Sequence, residues 1–457
     1  MKRTLIKSGW LVTMDDAIQD IRNGELLMIG DKIAAVGLSL DVEADEVIDA
    51  RDMIVMPGLV NAHIHTWQTG MRGIGAEWPS GAYHKHVHGN MATFYNAEDT
   101  YLGNLVGAIN QIDNGVTTIF DWCHILRDLE MAERAVDALE ESGIRAVFGH
   151  GTAKPPARPG EAHHSEIAHP RDRVEALRRG RFSADDRRVT LALAILGPEI
   201  STAKVCLADY ALAREFGLLS TCHVSYPSGQ RVQENGWPAL AAKGLLGPDH
   251  NICHGNALSD DDLNFILDRG VTVTPTVMLE LQAKAEPPLT VRIRSRGALP
   301  SLGIDTEPLC SGDMFNEMRA AWMHARNFAL IAAKQAGQPP VSVVPVKARE
   351  VLEWATMGGA KALRMDDRIG SLTPGKKADL VFVGTDDLDL YPVYDPAVTV
   401  VGYASGANVD SVFIDGQPAK RHGKLLFGAD VLRQRKAALA GSVERVMRDA
   451  GVQLPLY

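Results

Sequence analysis

The sequence predicts an α/β chain: a (β/α)8 TIM barrel with a small β-sandwich domain formed from both termini. Three observations carry this expectation. Residues 1–57 and the stretch after residue 368 read as short β-branched strands broken at Gly, Asn and Asp turns. Between them, apolar strands alternate with amphipathic helices, the pattern of a parallel sheet with crossover helices. The alternating strands number eight, as a closed barrel requires.

At the N-terminus, TLIKSGWLVTM, GELLMIG, KIAAVG and EVIDARDMIVMPG are the expected strands, and IGSLTPGKKADLVFVG and VDSVFIDGQPAKRHGKLL repeat their texture near the C-terminus. The sandwich is therefore expected over 1–57 and 368–427, with the chain leaving it at Pro57-Gly58 and returning near Gly370. The barrel takes 58–367. Its strands are expected at 59–65, 117–122, 145–150, 190–196, 218–224, 251–255, 271–275 and 299–305. Helices are expected near 97–114, 128–142, 204–216, 237–245, 258–269 and 313–336, with a terminal amphipathic helix in 428–457. Two connections, 66–96 and 152–188, are too long for ordinary loops. Each follows the C-terminal end of a barrel strand, so both are expected to roof the pocket.

Composition narrows the function classes. A chain of 457 residues with a net charge of −10, and no basic stretch interleaved with aromatics, does not suit a nucleic acid partner. The start MKRTLIKSGWLVTMDDAIQD has no apolar core before Asp15 and Asp16, and no apolar run approaches a membrane span, so neither a signal peptide nor a membrane segment is expected. Cys123, Cys206, Cys222, Cys253 and Cys310 are an odd, scattered set without a CxxC, which suits a cytoplasmic protein; Cys222 and Cys253 read as small buried residues.

The chemistry-bearing residues recur at strand ends. His63 and His65 are two apart, so in a strand both imidazoles point to the barrel axis. His223, His254 and Asp305 each follow an apolar run where a barrel strand emerges into its pocket. Any one of them alone would read as a hydrogen-bonded terminal residue. Five at equivalent positions point to a metal site, since neutral imidazole and carboxylate are ligands for zinc and related ions.

In these pieces the chain resembles the amidohydrolase superfamily, and within it the cytosine-deaminase and triazine-chlorohydrolase branch. The matching segments are MPGLVNAHIHTWQTGMRG (56–73), DNGVTTIFDW (113–122), STCHVS (220–225), ICHGNALSDDDL (252–263), LPSLGID (299–305) and IGSLTPGKKADLVFV (369–383). The resemblance implies one divalent ion per chain, zinc first, with iron, manganese or cobalt as alternatives. It implies His63, His65, His223 and Asp305 as ligands, and His254 as hydrogen-bonding the attacking water or the substrate. It also implies a homodimer or larger homo-oligomer. Chemically, such an ion lowers the pKa of water to about 7, Asp305 takes the water's proton, and His254 stabilises developing charge.

Two departures qualify the resemblance. LALAILGPEIS (191–201) lacks the bridging lysine of two-metal relatives, which favours a mononuclear site; Glu199 is the only nearby substitute. In deaminases of this branch a Glu follows three residues after the strand-five histidine, but here Tyr226 stands there, so the usual acid is missing. Glu280, after the seventh strand, is the candidate replacement, set against a solvated helix residue. Substrate contacts are expected from Trp67, by stacking, and from Gln68, Trp78, His124 and Tyr226. YHKHVH alternates like a strand, so His84, His86 and His88 are expected on one face, as a pocket wall, an exposed turn or a second metal cluster. The expected activity is hydrolysis of a C–N or similar bond in a small planar molecule. An amide, urea or carbamate carbonyl ranks ahead of ring deamination or dechlorination, because a carbonyl needs no ring-nitrogen protonation. A metal-free binding scaffold is the rival from another class.

Overall fold

The computed structural model describes residues 1–79, 81–339 and 344–453. Seven strands run parallel and neighbour one another in chain order: Leu59–Ile64, Val116–Leu126, Arg145–Thr152, Val189–Ala194, Leu219–Val224, His250–His254 and Thr272–Thr274. Nearly every residue in them is buried, as expected for strands covered on both faces. Residues 299–305 close the ring with sparse hydrogen bonds rather than a full ladder. On one side Ser301 N donates to Val273 O (3.4 Å) and Gly303 N to Pro275 O (3.1 Å). On the other, Ala62 N donates to Leu302 O (3.0 Å) and Asp305 N to His63 O (2.9 Å). Gly303 is needed here: a Cβ would meet the His63 Cβ at 2.7 Å.

The crossover helices start where the sequence offers caps. Asn96, Asp128, Thr202 and Ser259 each accept from a backbone N–H of the first turn of Ala97–Asp113, Leu129–Ser142, Ala203–Glu215 and Asp260–Leu267. The connection 152–188 carries its own helix, Arg171–Arg179.

The terminal β domain holds nine strands drawn from both chain ends in one hydrogen-bonded sheet, so the expected sandwich is formed by a single sheet that curls on itself. Strand Lys32–Gly37, at one end of the path, is bridged through Lys32 to Lys377, and Ile33 N donates to Lys376 O (2.9 Å). Ile6, Leu26, Ile33, Val55, Leu380, Phe382 and Phe413 fill the space enclosed. Arg145, at the N-terminal end of its barrel strand, reaches into this domain. Its guanidinium is bidentate on Asp379 (2.7 and 3.1 Å) and also binds Asp415, which Arg188 holds from the other side (2.9 Å).

The terminal helix is Ala429–Asp449, shorter than expected, and residues 454–457 lie outside the described residues. It packs on Ala97–Asp113, with Ser442 Oγ donating to Asp99 (2.6 Å). Among the described residues no helix is long and apolar enough to cross a membrane.

Candidate metal centre and active site

At the C-terminal mouth of the barrel, one nitrogen each of His63, His65 and His223 and one oxygen of Asp305 lie within 4.8 Å of one another. Asp305 Oδ1 is 3.2 Å from His63 Nε2 and 3.1 Å from His65 Nε2. The far nitrogens are occupied. His65 Nδ1 is 2.9 Å from the Trp122 carbonyl, which only accepts, so the proton sits on Nδ1 and the Nε2 lone pair faces the cluster. His63 Nδ1 lies 3.1 Å from Cys253 Sγ, which can accept its proton and so leave His63 Nε2 free to ligate. The His223 ring rests on Trp122 at 3.9 Å between centroids and makes no hydrogen bond to the described residues. This donor set, three imidazoles and a carboxylate with outer partners on His63 and His65, fits a divalent cation.

The electrostatics agree with that arrangement. Burial, the largest influence, pushes His63 down to about 4 and His223 well below its ordinary value, so both imidazoles are neutral and able to ligate. Burial pushes Asp305 upward, but the close approach of His63 and His65 outweighs it and holds the carboxyl well below the usual range. Asp305 and His254 both take the left-handed backbone region at φ +69°, where non-glycine residues are strained.

His254 is the second half of the arrangement. Its Nδ1 is 3.3 Å from Glu280 Oε1 and 3.1 Å from Thr276 Oγ1, while Nε2 faces Asp305 Oδ2 at 3.7 Å. Glu280 has no exposed surface; besides His254, its carboxylate accepts from Thr276 N (2.8 Å) and Asn256 Nδ2 (3.2 Å). Glu280 is thus a buried group that orients His254, not a solvated helix residue.

A family profile described as "Amidohydrolase family" matches residues 54–419, most of the chain. The chain belongs to the amidohydrolase family. The 5'-deoxyadenosine deaminase of Methanothermobacter thermautotrophicus is 30% identical over 416 residues, covering 89% of this chain and 91% of that protein. The 5-methylthioadenosine/S-adenosylhomocysteine deaminase of Desulforudis audaxviator is 29% identical, over 97% of this chain and 100% of its own. Among solved structures, a zinc-bound adenosine deaminase from Xanthomonas campestris superposes with a TM-score of 0.80 at 21% identity, covering 98% of both chains. The atrazine chlorohydrolase of Arthrobacter aurescens, complexed with zinc, gives 0.82 at 20% identity, over 96% of this chain and 100% of its own. As an amidohydrolase, the protein is a hydrolase acting on carbon–nitrogen or similar bonds.

The remaining expected contacts of this amidohydrolase divide into two groups. His124 stands beside the cluster, its ring 4.2 Å from that of His65. Trp67, expected to stack on a substrate, has no exposed surface; it packs edge-on against Tyr95 and approaches His124 Nδ1 with its N–H (3.4 Å), so it backs the pocket wall. Gln68 is equally buried and holds Tyr83 and Thr306. Trp78 is half-buried in the first long loop beside His86, and Tyr226 is 41% exposed. The segment YHKHVH is a π-helical turn, His84–His88, not a strand. His84 and His88 therefore stack at 5.7 Å, while His86 turns to Trp78 at 5.5 Å, and the three do not share a face. Without a partner strand, nothing holds an alternating segment extended. Glu199 accepts from Ser225 N (2.7 Å) and Tyr226 N (2.9 Å) and pairs with Arg231, so it is engaged away from the cluster.

Sequence reasoning missed three contributors: the Cys253 thiol behind His63, Asp121, and Lys154. Asp121 is fully buried, ties down Thr66 and is bound by Asn104 (2.6 Å); burial lifts it to about 6. Cys253 was legible only as the residue before a histidine. Lys154 lay in a loop without a motif.

Proposed function

We propose that this amidohydrolase holds a single divalent ion, zinc in the first place, on His63, His65, His223 and Asp305, and hydrolyses an amide-, urea- or carbamate-type C–N bond in a small planar molecule. The observation that carries the reading is Asp305 itself: one oxygen belongs to the ligand cluster while the other faces His254 at 3.7 Å. Bound there, the ion would supply Lewis acidity and a lowered water pKa, to about 7. Asp305 takes the proton of the attacking water. Glu280 holds the Nδ1 proton of His254, so Nε2 can receive the water's proton from Asp305 and, once charged, stabilise charge on the substrate and pass that proton to the leaving nitrogen. That pair answers the absence of an acid at Tyr226. Iron, manganese or cobalt would suit the same donors. The reading extends to a cytoplasmic homo-oligomer; five free cysteines are in keeping with a reducing compartment.

Ring deamination is the second reading, favoured by the names of the deaminase relatives. An ammonia-release assay of the metal-loaded protein on phenylurea, benzamide, adenosine and melamine separates the two. Release from the urea or amide supports the first reading, and release from ring amines alone transfers the case to deamination. No release from any of the four, nor from wider panels of either class, would contradict C–N hydrolysis.

A further inference from the structure

The groups around the cluster are unevenly charged. Carboxylates near the mouth are committed to the protein: Asp121 to Thr66 and Asn104, Glu199 to Ser225, Tyr226 and Arg231, Glu280 to His254 and Thr276, and Glu317 to Val277 N and Met278 N. Lys154 stands two residues beyond the end of strand Arg145–Thr152 and so on the active-site face. It is half-buried, and among the described residues no carboxylate lies within salt-bridge distance of it. Its ammonium is close enough to His84, His88, His124, His164 and His223 to disfavour the protonation of each. His84 and His88 belong to the first long loop and His164 to the second, so this ammonium acts on both, with Lys284 also acting on His84.

The imidazole wall beside it is continuous. The His124 ring lies 4.2 Å from His65, His124 Nε2 is 3.3 Å from His88 Nε2, and His88 Nε2 is 3.0 Å from Tyr83 Oη. The wall therefore offers imidazole and phenol N–H or O–H groups along one side of the mouth. A partly desolvated ammonium without a counter-ion is costly and is retained where a ligand supplies the anion. Burial draws Lys154 down only to about 8, so at pH 7 it remains mostly charged. Lys154 is thus a cationic group beside the mouth in a chain whose net charge is −10.

We propose that Lys154 is a specificity-determining residue which, with the wall of His88 and His124, binds an anionic group on the substrate, so that the substrate class is carboxylate- or phosphate-bearing molecules with a hydrolysable C–N bond. The inference rests on the hydrolase reading above, but its test does not depend on turnover. Metal-loaded wild type, Lys154→Met and Lys154→Arg would be titrated calorimetrically with two matched pairs: 4-ureidobenzoate against 4-ureidobenzamide, and adenosine 5'-monophosphate against adenosine. The expected result is a preference of about tenfold or more for one anionic member, erased in Lys154→Met at unchanged metal content and largely kept in Lys154→Arg. The pair showing the preference identifies carboxylate or phosphate. No charge preference in either pair would overturn the proposal. So would a preference that survives Lys154→Met, since the anion would then be held by the metal. Ammonia release from the same probes is scored separately and bears on the hydrolase reading alone.

Discussion

The two ends of the barrel handle charge in opposite ways. At the N-terminal end, Arg145 is buried against Asp379 and Asp415, with Arg188 and Lys377 closing the network, and each charge meets its opposite at close range. At the C-terminal mouth, His63, His65, His223 and His254 crowd around Asp305, and Lys154 has no counter-ion among the described residues. The first arrangement is complete without a ligand and joins two domains. On the proposed reading, the second is completed by a cation and a substrate. Polar groups that neutralise one another serve stability, and polar groups left mutually unsatisfied mark function.

Mutations should separate the ends. The largest effect is expected at the mouth: Asp305→Ala should lower kcat by about 10⁴-fold, the upper range for a group acting in proton transfer, with the midpoint of denaturant unfolding little changed. Normal turnover would remove Asp305 from the mechanism. At the other end, Arg145→Met leaves the buried Asp379 without its charged partner and should cost about 3–5 kcal/mol of stability, while kcat of the folded protein stays unchanged. Chemical denaturation and initial rates read both quantities.

Smaller effects sharpen the contrast. Glu280→Gln keeps the shape but removes the carboxylate behind His254; kcat should fall by about 10²-fold with metal content unchanged. A loss of metal instead would place Glu280 in the ligand set. Cys253→Ala removes the partner of His63 Nδ1 and should weaken metal affinity by about tenfold, read by competition with a chelator.

Acid should act on the junction in a defined direction. Burial raises Asp415, but Arg145 and Arg188 outweigh it and its folded pKa lies below the ordinary value. Its contribution is therefore complete above about pH 4, the unfolded value, and fades as pH falls toward the lowered folded value. Urea midpoints measured between pH 6 and 3 should drop less in Arg145→Met than in wild type. An equal drop would mean that the pair is not the acid-sensitive element.

Much of this was legible in the sequence because barrels place chemistry at strand ends. His63, His65, His223, His254 and Asp305 each terminate an apolar run, and the structure gathers all five at one mouth. The loops were less legible. Alternation in YHKHVH mimics a strand, yet the same spacing lets His84 and His88 stack one turn apart in a helical segment. Trp67 was readable as an aromatic near the site but not as a buried one, because burial depends on Tyr95 and His124 arriving from elsewhere in the chain. The Arg145 network likewise joins residues more than 230 apart, which no local pattern encodes.

The central claim is that the mouth is a metal site completed by four protein ligands. Elemental analysis of the purified protein, before and after chelation and reconstitution with zinc, tests it most directly. The account predicts about one ion per chain, lost in Asp305→Ala and His223→Ala and retained in Arg145→Met. Metal at trace level after reconstitution, or full occupancy in both ligand variants, would contradict it.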